Sequence, residues 1–313
     1  MKISVLLPVF NEEPYIEKCI DSLLGQDYEN IEICISDNAS NDNTWNIIDR
    51  YHNQDDRVVA VRQDEPIHPI DNLKSALLFA SGDYVFVMGG DDYLLPGFFS
   101  AAVSLLRSES DPASIVCARM HYFKDIDGGV FATLPPVEFE SEINGSVRSL
   151  LDFFLRHINH DELVLSLSPR AAFESAMGLL GSIDKTTEAL GMWVFLGVAL
   201  SVNTVGRRVS IPVAVHYMKR YEKVTPDDSS YHNSERLLLG RSSAYLKGLY
   251  GSFYVIVRFY RAGFLSLGHA LLMLFAFRYH NPNGLCFAGP VIDPIYRVYR
   301  KLSCADSTPK CDK

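Results

Sequence analysis

Short apolar runs alternate with helix-length segments over the first hundred residues. The first run, KISVLLPVF, is apolar without alternation, which is typical of a strand covered on both faces. The next segment, YIEKCIDSLLGQ, has apolar residues at helical spacing, and Gly25 stands where the helix is expected to stop. The same rhythm continues through strands IEICISD, RVVAVR and DYVFVM, and helices NASNDNTWNIIDRY, PIDNLKSALLFASG and LLPGFFSAAVSLLRS.

This β-α-β-α rhythm predicts an α/β fold with a mainly parallel sheet and helices on both faces. Ligands of such sheets bind beyond the carboxyl ends of the strands. Asp37 and the pair Asp91–Asp92 each follow a predicted strand at that end. We therefore expect these carboxylates to converge on one crevice.

The pattern changes near residue 114. SIVCARMHYF and VFATL are predicted to form a hairpin across an Asp-Gly-Gly turn. Helices are expected at 146–158, 169–180 and in TTEALGMWVFLGVALSV, with strands near 204–210 and 212–218, and two helices broken near Gly263 between 233 and 280. We divide the chain into a domain of residues 1–220, with halves 1–107 and 108–220, and a C-terminal helical region of residues 221–313.

Composition limits the class of protein. The 313 residues are 48% hydrophobic and 21% charged, which is typical of a globular chain. The six cysteines are scattered without a CxxC pair, which argues against a zinc site or a disulfide framework and fits a reducing cytosol. The N-terminal apolar run lacks a small-residue cleavage site and is interpreted as a strand rather than a signal peptide.

Charge is distributed unevenly. Residues 236–301 hold nine Lys or Arg and one acid, a net charge of +8, and residues 302–313 are balanced. Because the whole chain has a net charge of −9, residues 1–235 carry a net charge of −17. This is not the pattern of a nucleic-acid-binding protein. The uncharged run AGFLSLGHALLMLFAF at 262–277 is too short to span a bilayer. It could bind an anionic membrane surface, or form a buried helix pair or an oligomer interface.

Two adjacent carboxylates after a buried strand, in YVFVMGGDDYLLP, are suited to a hard divalent cation such as Mg²⁺ or Mn²⁺. The two glycines allow a tight backbone turn there. The alternative is that Asp91 and Asp92 simply cap the following helix.

Three segments together, PVFNEEPYIEKCIDSLLGQDY, ISDNASNDNTWNII and ASGDYVFVMGGDDYLLPGF, resemble family 2 glycosyltransferases of the GT-A type found in bacterial surface-polysaccharide synthesis. The resemblance covers residues 1–107 and extends more weakly to about 218. It implies a nucleotide-diphospho-sugar donor, a Mn²⁺ or Mg²⁺ cofactor, and a catalytic domain with a donor-binding half and an acceptor half.

The resemblance also implies roles for individual residues. Nucleotide-sugar contacts are implied for Pro8, Phe10, Glu12, Asp37, Asn72 and Asp91, and metal ligation for Asp92 and Asp91. The motif departs from the family's usual D-x-D-D because Gly89 stands in the first position, which leaves open a weaker metal site or a ribose contact for Asp91. Two alternatives remain: Asp37 as a helix cap, and Phe10 as a core residue.

An inverting transferase needs a carboxylate base to take a proton from the acceptor hydroxyl. The resemblance favours Glu188 in GSIDKTTEALGMW, with Asp184 as the second candidate. Glu188 could instead be a solvated residue at a helix N-terminus. Asp161 and Glu162 are candidates for acceptor contacts.

The absence of Q-x-x-R-W and of an apolar run of 18 residues distinguishes the chain from processive synthases, so we expect a single sugar to be added to a saccharide or lipid-linked saccharide acceptor. The expected location is cytoplasmic, with the membrane surface as one option. No G-x-G-x-x-G follows the first strand and no P-loop occurs, which argues against dehydrogenases and P-loop NTPases. Gly89 and Ala189 leave one alternative: a degenerate glycosyltransferase acting as a binding or assembly subunit.

Overall fold

The computed structural model describes residues 1–107, 115–123, 130–133, 147, 151, 166–180, 196–200, 213–220, 255–271 and 273. Four parallel strands form the first half of the sheet, in the order β3-β2-β1-β4. Their bounds are β1 Ile3–Val9, β2 Ile31–Asp37, β3 Val58–Arg62 and β4 Tyr84–Val87. Every residue of β2 is buried, in keeping with its position between two parallel strands.

Three helices connect these strands and a fourth follows them, as predicted: α1 Ile16–Leu24, α2 Thr44–Gln54, α3 Pro69–Leu78 and then α4 Phe98–Leu106. Proline occupies the first position of α3, where its missing N–H costs nothing. Asp42 accepts a hydrogen bond from the first backbone N–H of α2 at 3.0 Å. α4 begins after Gly97, whose φ of 84° lies in the left-handed region that favours glycine.

The second half of the sheet is mixed. It contains β5 Tyr93–Leu94, β6 Val116–Phe123, β7 Val130–Thr133, β8 Ser166–Pro169 and β9 Val213–Arg220, and the helix α5 Arg170–Leu180 follows β8. The predicted hairpin is confirmed because β6 and β7 pair antiparallel. β5 and β8 were not predicted. They are too short for a periodic signal, and their pairing with β9 and β4 is long-range.

Helices cover both faces of the sheet, as predicted. On one face Val5 and Leu7 pack with α1, α2 and α4, including the mutually contacting rings of Phe86, Phe98 and Phe99. On the other face Leu6 packs with α3 and α5. Alternate residues of β1 thus contribute to two separate cores, which explains why the strand has no polar face.

The described part of the C-terminal region packs into the core on the face of the sheet covered by α3 and α5. Residues 255–261 are helical, Gly263 has a φ of 80°, and residues 267–271 are helical again, so the predicted break near Gly263 is confirmed. Ile256, Phe259 and Met273 are fully buried in the same cluster as Phe173 of α5. Within the described ranges, no helix combines the length and hydropathy needed to cross a membrane.

A buried carboxylate joins the strands at the edge opposite the predicted crevice. Glu32 of β2 accepts hydrogen bonds from the Ser4 hydroxyl at 2.5 Å and from the backbone N–H groups of Ser81 and Gly82 at 2.6 and 3.1 Å, and it pairs with Lys2. Burial alone would raise the pKa of Glu32, but these donors outweigh it and lower the pKa below its usual value. Glu32 is thus a structural anchor.

Several sequence predictions lie outside the described residues. These are the helix at 146–158 apart from residues 147 and 151, the strand near 204–210, and the predicted base candidates.

Candidate functional site

The carboxyl ends of the parallel strands meet at one edge of the sheet, as predicted. Val9, Asp37 and Arg62 are direct neighbours across β1, β2 and β3. The segment 88–92 leaves β4 at the same edge, and the backbone N–H of Met88 donates to the carbonyl oxygen of Leu6 at 3.0 Å. The predicted carboxylates therefore lie at the same edge of the sheet.

The loops after β1 and β2 are joined by reciprocal hydrogen bonds. Asn11 N–H donates to the Ser40 hydroxyl at 2.9 Å, and Asn41 N–H donates to the side chain of Asn11 at 2.9 Å. Glu12 N–H donates to Thr44 Oγ1 at 2.8 Å. Asn11 and Ala39 have φ values of 56° and 58°, a left-handed conformation that costs a non-glycine residue about 1–2 kcal/mol. The hydrogen bonds between the loops offset that strain and hold the rim of the crevice in one conformation.

Asp37 ends β2 and is fully buried. It accepts from the Ser40 hydroxyl through Oδ1 and from Ser40 N–H through Oδ2 at 3.2 Å, and its Oδ2 lies 3.3 Å from Arg62 Nε. Helix α2 begins at residue 44 after the cap residue Asn43, so Asp37 does not cap it. The capping alternative is therefore wrong for Asp37.

Asn72 lies beneath the crevice with 2% of its surface exposed. Its amide nitrogen donates to the carbonyl oxygens of Ser36 at 2.9 Å and Val9 at 3.4 Å, and its oxygen accepts from the Ser36 hydroxyl at 2.7 Å. Gln63 donates to the same hydroxyl at 3.0 Å. The Asn72 amide thus connects α3 to the ends of β1 and β2.

Asp91 and Asp92 are brought together by Gly89. A Cβ at position 89 would lie 2.8 Å from an oxygen of Asp91 and 3.0 Å from an oxygen of Asp92, so both carboxylates flank this backbone. A Cβ on Gly90 would lie 2.7 Å from Val9 and 3.1 Å from Cγ of Glu12. The glycine pair therefore allows a close approach that brings Glu12 towards the two aspartates.

The negative field of this cluster acts on a buried thiol. Burial raises the pKa of Cys19 well above its usual value, and the carboxylates of Asp92, Asp91 and Glu12 raise it further. The Cys19 Sγ lies 3.6 Å from the carbonyl oxygen of Gly89. Cys19 is accordingly a neutral packing residue beneath three acids.

The capping alternative is also wrong for the aspartate pair. Asp91 and Asp92 precede β5, and α4 begins only at residue 98 after Gly97. Asp92 is 5% exposed. Asp91 is partly exposed beside it.

The donor set fits a hard divalent cation. Mg²⁺ typically takes one or two protein carboxylates and completes its coordination with water and phosphate oxygens, and the converging oxygens of Asp91 and Asp92 satisfy the protein part of that requirement. The described residues hold no group of three or more His, Cys, Asp and Glu side chains placed to bind a metal by themselves.

The other predicted contact residues are at the rim. Phe10 is 47% exposed, so the alternative that it is an ordinary core residue is wrong. Pro8 is partly exposed near the end of β1. Glu188, Asp184, Asp161 and Glu162 lie outside the described residues.

Arg62 is the member of this site that sequence reasoning missed. Its Nη2 donates to the Ser40 carbonyl oxygen at 2.7 Å, and its guanidinium carbon lies 5.9 Å from the centre of the Trp45 ring. Its position could have been predicted from the sequence, because Arg62 ends the third predicted strand as Asp37 ends the second.

Comparison with known proteins agrees with this fold. The glycosyl transferase family 2 profile matches residues 4–165, which is just over half of the chain. The structure is similar to S. aureus TarS 1-349 in complex with UDP-GlcNAc (TM-score 0.59, 17% identity, covering 93% of this chain and 74% of the other). It is also similar to the mannosyltransferase PcManGT from Pyrobaculum calidifontis in complex with GDP-Man and Mn2+ (TM-score 0.53, 19% identity, covering 98% and 76%).

Curated relatives match over less than half of the chain. Glycosyltransferase GlyG of Streptococcus pneumoniae is 26% identical over 129 residues, which are 41% of this chain and 42% of GlyG. The GalNAc(5)-diNAcBac-PP-undecaprenol beta-1,3-glucosyltransferase of Campylobacter jejuni is 36% identical over 100 residues, 32% of each protein. The match thus spans less than half the length of these two relatives.

The fold is the GT-A fold of nucleotide-diphospho-sugar transferases, with the acidic pair at the carboxyl end of β4. The chain belongs to glycosyl transferase family 2.

Proposed function

We propose that this protein is a glycosyltransferase that moves a single sugar from a nucleotide-diphospho-sugar to a saccharide acceptor, with inversion at the anomeric carbon. The observation that carries the proposal is the convergence of Asp91 and Asp92 on Gly89, beside Glu12, at the carboxyl ends of parallel strands. An acidic site of this kind binds a phosphate-bearing ligand together with a divalent cation. The membership in family 2 supports the same reaction class.

In this proposal Asp92 and Asp91 hold Mn²⁺ or Mg²⁺, and the cation supplies charge neutralisation for the departing diphosphate. Pro8, Phe10 and Glu12 line the part of the crevice that receives the nucleoside. The exposed ring of Phe10 offers a surface for stacking against a base. Asn72 contributes by positioning the strand ends, because its amide nitrogen donates to the carbonyl oxygens of Val9 and Ser36 and its amide oxygen accepts from the Ser36 hydroxyl.

Glu188 is proposed as the base that accepts the proton of the acceptor hydroxyl, with Asp184 as the second candidate. Glu188→Gln is expected to lower turnover by about 10²–10⁴-fold, the usual range for general acid–base catalysis, with little change in donor binding. Turnover within a few-fold of the wild type would shift the assignment to Asp184.

A lipid-linked saccharide is the proposed acceptor, because the relative from Campylobacter jejuni carries an undecaprenol-linked acceptor in its name. Such an acceptor requires the enzyme to work at a membrane surface. The net charge of +8 in residues 236–301 supports reversible binding to anionic headgroups at the cytoplasmic face.

The test is a thermal-shift panel of UDP-, GDP- and dTDP-sugars with and without Mn²⁺, followed by transfer assays with the stabilising donor. A ligand at a hundredfold excess over its dissociation constant stabilises the native state by about 2.7 kcal/mol. We expect one donor to raise the melting temperature in a Mn²⁺-dependent manner and to support transfer. Binding without turnover on any saccharide acceptor would favour a nucleotide-sugar-binding subunit instead, and stabilisation by no donor would contradict the proposal.

A further inference from the structure

The C-terminal end of α1 contacts the segment that carries the acidic pair. Cys19, Ser22 and Gln26 each make a hydrogen-bond contact with residues 89–98. Their spacing of three and four residues places them on one side of the helix end. The contacts start before Asp91–Asp92 and continue after them, so the same helix holds the chain on both sides of the two carboxylates.

Gln26 follows the last residue of α1 by two positions and is 7% exposed. Its Nε2 donates to the carbonyl oxygens of Ser22 at 2.9 Å and Leu95 at 3.0 Å, and its Oε1 accepts from the Phe98 N–H at 3.0 Å. Phe98 is the first residue of α4, and Gly97 before it has no side chain with which to cap that helix. One buried amide therefore satisfies backbone groups at the end of α1, at the start of α4 and between the acidic pair and α4.

Ser22 and Cys19 hold the same segment nearer to the acidic pair. The Ser22 hydroxyl accepts from the Leu94 N–H at 3.1 Å and donates to the Cys19 carbonyl oxygen at 2.7 Å. The Cys19 Sγ lies 3.6 Å from the Gly89 carbonyl oxygen. All of these contacts are made to the backbone of the segment, so they fix its path directly.

The turn between the two strands needs such support. It runs from Met88, whose N–H donates to the Leu6 carbonyl oxygen, to β5, and it includes two glycines, which restrict the backbone little. The adjacent carboxylates of Asp91 and Asp92 also repel each other. Their relative position therefore depends on how firmly the chain is held on each side of the turn.

We infer that Gln26 is a positioning residue for the carboxylates of Asp91 and Asp92, acting through the backbone of residues 94–98, and that Ser22 is the second point of support. The inference rests on the proposed function, in which the pair holds a divalent cation against the diphosphate of the donor. It adds the group that keeps the pair in place. A pair fixed before binding holds cation and nucleotide together at a lower entropic cost.

The experiment measures dissociation constants of UDP, GDP and dTDP by calorimetry, with Mn²⁺ and with EDTA. The readout is the metal coupling ratio, which is the constant in EDTA divided by the constant in Mn²⁺ for the nucleotide that binds most tightly. A residue that only stabilises the fold would change the melting temperature and leave this ratio unchanged.

Gln26→Glu is the main variant. It has nearly the same shape and keeps an acceptor for Phe98, but it turns an oxygen towards the carbonyl oxygens of Ser22 and Leu95 in place of the amide donors. We expect the metal coupling ratio to fall about tenfold or more, because small displacements of positioning groups have large effects.

Ser22→Ala is the second variant and removes a single hydroxyl at a partly exposed position, so it decides the case if Gln26→Glu does not fold. It should lower the metal coupling ratio several-fold. Ser22→Thr keeps the hydroxyl that accepts from Leu94 and should restore the wild-type ratio.

Glu32→Gln is the matched control. Glu32 is also a buried polar side chain that accepts from two backbone N–H groups, those of Ser81 and Gly82, but it lies at the opposite edge of the sheet. Its replacement should lower the melting temperature and leave the metal coupling ratio as in the wild type. An equal fall of the ratio in Glu32→Gln would assign the effect to general stability and overturn the inference.

The remaining outcomes separate the inference from the proposed function. If the wild type binds a nucleotide in a Mn²⁺-dependent manner and the folded Gln26 and Ser22 variants keep its ratio, the inference is wrong and the proposed function stands. If the wild type binds a nucleotide equally well in Mn²⁺ and EDTA, the proposed metal role fails and the inference with it. If it binds none of the three nucleotides, the proposed function itself is contradicted.

Discussion

At the scale of single residues, the departure of the acidic motif from its family pattern has a structural reason. Gly89 stands where an aspartate is usual, and a Cβ there would lie within 3.0 Å of oxygens from both Asp91 and Asp92. An aspartate at this position would require both carboxylates to move and would add a third negative charge. The lack of a side chain at Gly89 therefore leaves room for the carboxylates of Asp91 and Asp92 in their present positions.

Asp92→Asn tests the proposed metal ligand. We expect transfer to be abolished and the Mn²⁺-dependent part of donor binding to be lost, because a neutral amide oxygen is a poorer ligand for a hard cation than a carboxylate. Calorimetry of the donor with and without Mn²⁺ measures this. Asp56→Asn, an exposed aspartate before β3, is the control and should behave as the wild type. Unchanged Mn²⁺ dependence in Asp92→Asn would show that the cation is held elsewhere.

Gly89→Ala tests whether the glycine sets the carboxylate positions. The added methyl group meets the flexible ends of two side chains, so the melting temperature should change little while the carboxylates are displaced. We expect Mn²⁺-dependent donor affinity to fall about tenfold or more, since small displacements of positioning groups have large effects. Gly178→Ala on α5, where a Cβ meets no atom within 4 Å, is the control. Equal donor affinity in the two variants would contradict the argument.

At the scale of elements, the β1 and β2 ends are held from both directions. The two loops at the crevice are interlocked by backbone-to-side-chain hydrogen bonds. At the opposite edge Glu32 connects β1, β2 and the turn before β4. Hydrogen bonds at both edges of the sheet fix the register of the parallel strands, and the register in turn aligns Val9, Asp37 and Arg62.

The stability contributed by Glu32 depends on pH. Because its pKa is lowered in the folded state, the contribution is fully present above the unfolded value near 4.5 and is lost as the pH falls through the folded value. Glu32→Gln should therefore lower the free energy of unfolding at pH 7 by about 1.5–3 kcal/mol, the range for hydrogen bonds to a charged group. The difference from the wild type should shrink below pH 4.5.

Urea denaturation at several pH values measures this effect. Glu29→Gln, at an exposed position before β2, is the control and should track the wild type. A constant difference between Glu32→Gln and the wild type from pH 7 down to acidic pH would mean that the carboxylate charge is not the stabilising element.

At the scale of the whole molecule, the C-terminal segment of residues 255–271 and 273 has a buried side and an exposed side. Ile256, Phe259 and Met273 are part of the core, so this face supports the predicted buried helix pair. Leu267 and Leu271 are 58% and 46% exposed, one helical turn apart. Arg261 is exposed nearby along the chain. These side chains remain available for a membrane surface.

Flotation with anionic liposomes tests that surface. We expect the protein to co-float at low salt and to be released by high salt, because each Lys or Arg near an anionic surface contributes about 1 kcal/mol within a Debye length. Replacing Leu267 and Leu271 together with glutamine should reduce co-flotation several-fold. Leu78→Gln, which changes an 83% exposed leucine on α3, is the control. Protein that stays in the soluble fraction at low salt would rule out the membrane surface.

The sequence by itself determined the elements of the first half and the chemistry of its loops. Strand and helix periods are properties of neighbouring residues, so β1 to β4 and α1 to α4 could be predicted. The acidic pair was found because two adjacent aspartates directly after an apolar strand can be recognised from the sequence alone. The resemblance to family 2 supplied the remaining candidates, and the match over residues 4–165 confirms the family.

Only the tertiary structure decided which of these groups are buried and which are exposed at the strand ends. Asp37 is buried against Ser40 and against Arg62, its neighbour in the strand register. Asn72 is buried against Val9 and Ser36 because α3 packs on the strand ends. The short strands β5 and β8 exist through pairing with distant partners. Burial and register are set by contacts far apart in the chain, whereas local periodicity reports only whether a segment forms a helix or a strand.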